Sequence, residues 1–184
     1  YCNMVVNMGS VTQIMTVTRN ITCFGSMTIN SGTFQINDGT TTKRTLVVNS
    51  HFTVGENGKV TTGTGNTNTA GYKIQPTTNL PPGGQFHTIF HELSIGGNFT
   101  NSGVVRFTNL TVPNYGEFAN NGAVTVRFNG ERNSTLTLDS ITDFYNLIVD
   151  KGIDQTYILT INSSHIDNFA LYGPNAVRRN EAAP

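Results

Sequence analysis

The sequence has little charge. Only 12% of its 184 residues are Asp, Glu, Lys or Arg, and the formal net charge is zero. No basic patch is available to neutralise phosphates, which argues against a nucleic-acid partner. An apolar run of about 18 residues is also missing, so we expect no membrane span. Low charge with abundant threonine, asparagine and glycine, together more than a third of the chain, suits an extracellular or cell-surface polypeptide.

Cysteine is scarce as well. The chain contains two, Cys2 and Cys23, which lie 21 residues apart. In stacked parallel strands about 4.8 Å apart, that spacing could place the two side chains on neighbouring strands and within reach of a disulfide. The alternative is that both are small, buried apolar side chains. The sequence leaves both interpretations open.

A helical period is absent too. Apolar residues instead alternate with polar ones in short runs, as in Thr135-Leu-Thr-Leu138 and Tyr157-Ile-Leu-Thr-Ile161. A period of two in runs rich in β-branched residues is typical of β-strands. The same alternation argues against disorder, which so polar a composition would otherwise suggest. The chain is therefore predicted to be all-β.

An asparagine–glycine turn recurs along the chain, at steps of roughly 19 to 26 residues with one step of about 45, and such a period is typical of repeat architectures. A tight corner needs a positive φ, which Gly adopts freely and Asn tolerates. Aligned asparagines can also hydrogen-bond along a stack. We expect one repeated corner, formed by Asn7, Gly9, Asn30, Gly32, Asn57, Gly58, Asn101, Gly103, Asn120 and Gly122.

This spacing favours a single-stacked parallel β-helix (β-solenoid), right-handed, over residues 1–172. Hairpins need only about 12 residues per unit, whereas a β-sandwich is the alternative fold. The longest step predicts a double coil, and residues 97–107 and 116–128 are the best-matched successive copies. Residues 61–86, rich in Gly, Pro and Thr, are predicted to form a long loop, and residues 173–184 an irregular tail or linker to a following domain.

Aspartates are the strongest candidates for chemistry. Polysaccharide lyases and hydrolases built on β-helices use carboxylates from neighbouring coils, and hydrolysis needs two carboxyls about 5–10 Å apart. Aspartates beside turns, however, commonly cap corners. We expect no catalytic residue, and an enzyme would need two carboxylates facing each other across a cleft. The run consists of Asp139, Asp143, Asp150 and Asp154.

Two histidines, His87 and His91, are the nearest approach to a metal motif. On a strand their side chains would be about 13 Å apart, too far to bind one ion. We expect them to form a polar edge of the predicted loop. No metal site and no cofactor are therefore predicted.

The C-terminal half resembles repeats of large secreted and surface proteins of the Bacteroidetes. The matching motifs are Gly-Asn-Phe-Thr-Asn-Ser-Gly at residues 97–103, Val-Arg-Phe-Asn-Gly at 126–130, Phe-Tyr-Asn-Leu-Ile-Val-Asp-Lys-Gly at 144–152 and Leu-Thr-Ile-Asn-Ser at 159–163. The resemblance covers residues 92–170, and it carries no catalytic motif. Because the sequence starts at Tyr1 without an initiator Met, we expect a processed product or a fragment.

This resemblance implies a function. It predicts a non-enzymatic structural or adhesive segment of a larger extracellular protein, exported by the type IX route. Its partners would be other domains of the same protein, surface glycans or secretion machinery; a passenger captured with a secretion or surface complex is a further alternative. The tripeptide Asp139-Ser140-Ile141 is similar to the O-glycosylation sequon of that phylum, which makes Ser140 the candidate acceptor.

Overall fold

The computed structural model describes residues 2–37, 42–62, 91–108, 123–153 and 156–172, and these form an all-β fold. In chain order the strands are β1 (Met4–Asn7), β2 (Ile14–Thr16), β3 (Ile21–Cys23), β4 (Met27–Gln35), β5 (Thr45–Val48), β6 (Phe52–Thr61), β7 (His91–Ile95), β8 (Phe99–Asn101), β9 (Val104–Arg106), β10 (Val124–Phe128), β11 (Ser134–Leu138), β12 (Thr142–Phe144), β13 (Asn146–Val149), β14 (Leu159–Ser163) and β15 (Phe169–Leu171). The helical element of the described residues is a three-residue 3-10 turn, Ile166–Asn168. No helix of these residues is long and apolar enough to cross a membrane.

The strands form three parallel ladders. The first runs β1-β4-β6-β8-β11-β14, the second β2-β4-β6-β9-β12-β15, and the third β3-β5-β7-β10-β13. The long strands β4 and β6 bend at a corner and belong to both of the first two ladders, which together make one sheet. We call each passage of the chain through the ladders a pass. The predicted all-β fold with parallel strands is confirmed, and between the named strands no antiparallel pairing of a β-sandwich is found in the described residues.

In-register stacking builds the core. One column of the first ladder contains Met27, Phe52, Phe99 and Leu136, which are all fully buried. Burying such a side chain contributes about 1.5–3 kcal/mol. The Phe52 and Phe99 rings meet edge to face with centroids 5.6 Å apart. Alternation along each strand thus places one set of side chains in a continuous apolar interior.

The predicted double coil is wrong. Phe52 pairs directly with Phe99, and Val60 with Val105, so β6 and the strands β8 and β9 lie on neighbouring passes. The long step is a single pass enlarged by the segment between Thr62 and His91. Of the predicted loop, Thr61 is the last residue of β6, and residues 63–86 lie outside the described part.

The expectation that residues 97–107 and 116–128 are successive copies of one unit is also wrong. Val104–Arg106 belongs to the second ladder, whereas Val124–Phe128 belongs to the third. The backbone N–H of Val124 donates to the carbonyl O of Phe107, 2.9 Å away, and Thr108 bridges Ala123. The strands Val104–Arg106 and Val124–Phe128 are therefore consecutive strands of one pass. Residues 109–122, including Asn120 and Gly122, and residues 173–184 lie outside the described part.

Candidate functional site: the corners and outer faces

Glycines at the corner between the first two ladders stack on one another. Gly32 and Gly58 are paired in register. A Cβ on Gly103 would collide with the carbonyl oxygen of Gly58, and a Cβ on Gly58 would collide with that of Ile29. Of these three corner glycines only Gly32 has a positive φ, +83°. Close backbone packing between passes, more than φ, therefore requires glycine at Gly58 and Gly103.

The asparagines of this corner do not form the expected ladder. Asn7 and Asn57 are both in register with Ser31, and the Ser31 hydroxyl donates to Asn7 Oδ1 over 3.1 Å. Asn101 instead lies in the column of Val54 and Leu138 and is fully buried. In both pairings of β4 a register shift follows Ile29 and skips Asn30, so Asn7 and Asn57 lie opposite Ser31 instead of opposite another asparagine.

Asn101 ties two passes together from inside the core. Its Nδ2 donates to the carbonyl O of Ile141 at 2.9 Å and to Thr142 Oγ1 at 2.8 Å. Its Oδ1 accepts the backbone N–H of Gly103 at 2.9 Å. A buried amide is stabilising only when its hydrogen bonds are made. Asn101 therefore fixes the corner of its own pass to that of the next.

A second polar column was not predicted from the sequence. Asn or His directly precedes four strands of the first ladder, and each accepts a backbone N–H of the following pass. The acceptors are Asn3 for Ser26 N at 2.9 Å, His51 Nδ1 for Asn98 N at 3.0 Å, Asn98 for Thr135 N at 3.0 Å, and Asn133 for Ile158 N at 3.1 Å. The sequence does carry a signal for this column. An Asn or His, whose side chain can accept a hydrogen bond, stands immediately before each of these four alternating runs.

Charges on the outer face of the third ladder form a chain. Lys43 Nζ lies 2.9 Å from Glu92 Oε2, and Glu92 Oε1 lies 3.7 Å from Arg127 Nε. Arg127 also donates to Asp150 Oδ2 at 2.8 Å. Opposite charges thus alternate across successive passes. This arrangement cannot be predicted from the sequence, because the partners are far apart in the chain.

The outer face of the first ladder carries a row of hydroxyls. Thr28, Thr53, Thr100 and Thr137 are consecutive register partners on four strands, and each is partly exposed. Strands in a sheet lie about 4.8 Å apart, so the hydroxyls recur at that interval. The sequence alone does not reveal this row, because it depends on the register of strands that are far apart in the chain.

Two of the four aspartates of the run are held in ion pairs with arginines. Asp143 is buried in β12 and accepts from Arg106 Nε at 2.7 Å. Asp150 follows β13 of the other sheet and pairs with Arg127, and Asp139 is exposed at a corner. Asp154 lies outside the described part. Within the described ranges, no three His, Cys, Asp or Glu side chains are placed to hold a metal ion.

His91 corrects the prediction of a polar loop edge. It is the first residue of β7 and is fully buried. Its Nδ1 accepts the backbone N–H of Arg44 at 2.9 Å, which joins two passes of the third ladder. His87 lies outside the described part.

Lys151 is a buried lysine at the corner after β13. Its Nζ donates to the carbonyl O of Asn129 at 3.0 Å and to Ser134 Oγ at 2.9 Å. Burial, and secondarily the charge of Arg132, lowers the pKa of this amine below its usual 10.5. Both partners are neutral, so this amine caps the corner as a hydrogen-bond donor.

The two cysteines are free, so the possible disulfide is not formed. Cys23 is buried, and its Sγ lies 3.3 Å from the carbonyl O of Ser26; Cys2 is exposed. Ser140 is half-buried at the corner between β11 and β12, and its neighbours Asp139 and Ile141 are exposed. The carbonyl O of Ser140 accepts from Thr142 Oγ1 at 3.1 Å, which holds the tripeptide in a turn.

Comparison with known proteins adds no relative. No protein-family model, curated protein or solved structure matches this chain.

Proposed function

We propose that this chain is a single-stacked, right-handed parallel β-helix that serves as a non-enzymatic structural or adhesive segment of a larger extracellular bacterial protein, exported by the type IX route. The observation that carries the proposal is the continuity of the three parallel ladders around one apolar interior. Crossovers between parallel strands are right-handed in nearly all proteins. The described strands make six stacked passes, and the five spacings of about 4.8 Å between them would give a stiff rod about 24 Å long.

The outer faces favour binding over catalysis. Asp143 and Asp150 are each held by an arginine, so neither is presented as a free carboxylate to a substrate. The row of Thr28, Thr53, Thr100 and Thr137 presents hydroxyls that can donate and accept hydrogen bonds, as a surface glycan requires. We therefore place adhesion on the outer face of the first ladder.

Binding is tested with the recombinant chain on an array of bacterial and host glycans. The double variant Thr53→Val and Thr100→Val keeps the shape of the row while removing two central hydroxyls, so we expect glycan binding to fall. Thr12→Val, at an exposed threonine away from the row, is the control and should bind normally. If the double variant bound glycans as well as the wild type, the threonine row would be excluded as the binding surface. Cleavage of any polysaccharide would favour the carbohydrate-active enzyme instead.

Export is tested on cells of the producing bacterium. Protease treatment of intact cells should release peptides of this chain before those of a periplasmic marker. Mass spectrometry of the native protein should find a glycan on Ser140, which Ser140→Ala removes. Ser140 lies at a surface corner beside exposed Ile141, where a transferase could reach it. A chain that stays protected inside intact cells would contradict the surface role, and an unmodified Ser140 would remove the glycosylation.

A further inference from the structure

Two neighbouring strands carry the same polar pattern on the outer face of the first ladder. The sequence His51-Phe-Thr53 spans the start of β6, and Asn98-Phe-Thr100 spans the start of β8. The phenylalanine of each is fully buried, so alternation along the strand directs the polar residue on either side outward. The two phenylalanines are register partners, which places the two polar pairs side by side. Strands β4 and β11 flank them, so this place lies in the middle of the ladder.

The threonine row presents hydroxyls that have no partner in the described part of the chain. Its four side chains are partly exposed, and none of them makes a hydrogen bond with another described residue. Hydroxyls elsewhere are used inside the molecule. Thr142 Oγ1 accepts from a buried amide at 2.8 Å, and Thr125 Oγ1 accepts from Asn146 Nδ2 at 3.3 Å. The hydroxyls of the row are therefore available to a ligand that replaces their water.

His51 and Asn98 direct hydrogen-bond donors outward beside this row. His51 Nδ1 accepts the backbone N–H of Asn98 at 3.0 Å, so the neutral ring carries its proton on Nε2. Asn98 Oδ1 accepts the backbone N–H of Thr135 at 3.0 Å, which leaves both protons of Nδ2 available. Both side chains are exposed. Because their acceptor atoms are held against the backbone, the direction of their donors is fixed on two successive passes.

The donors and the hydroxyls form two parallel columns. Neighbouring passes are about 4.8 Å apart, and two residues along a strand advance by about 6.6 Å. The four hydroxyls, on consecutive strands, therefore extend about 14 Å along the stack. A ligand that contacts the whole array has to be long, narrow and rich in oxygen atoms.

This part of the outer face carries no charged side chain. Strands β4, β8 and β11 contain no charged residue, and the charged residues of β6, Glu56 and Lys59, lie beyond the segment that pairs with β8. Ion pairs run along the third ladder instead. An acidic polymer bound here would lose water without gaining an opposite charge. The absence of charge on these strands thus favours a neutral partner.

We propose that the two columns bind a neutral, linear polysaccharide that lies along the stack, with His51 Nε2 and Asn98 Nδ2 donating to its oxygens. The hydroxyls of the threonine row donate to and accept from the same chain of sugars. An extended β-linked polysaccharide repeats its hydroxyls once per sugar, at an interval close to the spacing of the passes, so successive sugars meet successive passes. Binding of this kind rests on the proposed adhesive role, to which it adds the class of glycan, its direction and two contact residues.

The test measures binding of the purified full chain to linear oligosaccharides of increasing length by isothermal titration calorimetry. Cellooligosaccharides and mannooligosaccharides are the neutral probes, and oligogalacturonates are the acidic probes. Affinity for the neutral probes should rise with the number of sugars until the ligand spans the threonine row. The acidic probes should bind about tenfold more weakly than neutral probes of equal length.

Substitutions to aspartate separate the outward donors from the contacts with the backbone. Asn98→Asp keeps the acceptor for Thr135 N but loses both Nδ2 protons, so neutral probes should bind about tenfold more weakly. Asn20→Asp is the matched control and should bind normally, because Asn20 Oδ1 accepts Thr45 N at 3.0 Å on the third ladder. His51→Asn has an acceptor and a donor, as Asn98 has in the same column, and should retain binding. His51→Asp keeps only the acceptor and should lose it.

Each negative result has its own meaning. If both aspartate variants of the site, shown to be folded by circular dichroism, bound neutral probes like the wild type, the site would be overturned and the adhesive role would stand. Equal affinity for neutral and acidic probes, or affinity independent of length, would have the same consequence. If Asn98→Asp did not fold, the two His51 variants would decide. Binding to none of these probes or to any arrayed glycan would contradict the adhesive role as well.

Discussion

Gly103 packs directly on the backbone of Gly58, although 45 positions separate them in the sequence. A Cβ on Gly103 would collide with the carbonyl oxygens of both Gly58 and Gly55. These are backbone atoms of strand β6, so they cannot move aside as the end of a flexible side chain can. The spacing between the two passes is thus set by the absence of a side chain at Gly103.

We predict that Gly103→Ala destabilises the protein by about 1–3 kcal/mol, because it overpacks two passes. Gly9→Ala is the matched control at the start of the same motif series. There the nearest atom to an added Cβ is Gln13 Oε1 at 3.8 Å, an ordinary contact, so the free energy of unfolding should change by less than about 0.5 kcal/mol. Urea denaturation followed by circular dichroism measures both. Equal effects at the two sites would contradict the close packing.

The sequence predicted the strands and the corner glycines but not the alignment of the passes. Alternating runs after an Asn-Gly turn look alike whichever ladder they join, so residues 97–107 and 116–128 matched well while lying in one pass. Alignment depends on how many residues leave the ladders between strands. Composition does not fix that number in the segments between Thr62 and His91 and between Thr108 and Ala123.

Asn101 should not tolerate replacement by aspartate, which has nearly the same shape but carries a negative charge. We predict that Asn101→Asp destabilises the protein by more than about 2 kcal/mol, since a buried carboxylate would face the carbonyl O of Ile141 that the amide now donates to. Asn101→Leu removes the amide but suits the neighbouring column of Val54 and Leu138, so it should cost less than Asp at neutral pH. Thermal unfolding compares the two, and a more stable Asp variant would contradict the assigned hydrogen bonds.

The chain of charges on the third ladder should stabilise the fold in a salt-dependent manner. Glu92→Gln removes the central carboxylate between Lys43 and Arg127, and we predict a loss of about 0.5–1 kcal/mol at low ionic strength. High salt should reduce this loss, because partly exposed charges are screened. Glu131→Gln, at an exposed corner, is the control for the change in net charge that Glu92→Gln also causes. A loss independent of salt would mean that Glu92 acts through packing.

The candidate site shows the same limit of prediction. The aspartate run was visible in the sequence, but the arginine partners of Asp143 and Asp150 were not, because Arg106 and Arg127 reach them from neighbouring passes. The buried role of His91 and the acceptor column starting at Asn3 depend on register in the same way. The residue types indicated that the corners are polar. Which side chains contact each other there depends on the register of the strands in the ladders.

Lys151 should make stability depend on pH in the alkaline range. Its pKa is lowered in the folded protein, mainly by burial, from the usual 10.5. Below the folded pKa both states carry the proton, and the burial penalty is present in full. As pH rises from the folded pKa to 10.5, the unfolded state binds more protons than the folded state, so the penalty disappears and the free energy of unfolding rises.

The measurement compares wild type with Lys151→Gln by urea denaturation from neutral pH to 10.5. Other titrating groups are common to both proteins, so the difference in unfolding free energy isolates Lys151. We expect this difference to shift in favour of the wild type as pH rises, and Lys59→Gln corrects for the loss of one positive charge from the chain. Two curves that remain parallel throughout would mean that the amine keeps its proton equally in both states, which would contradict the lowering of its pKa by burial.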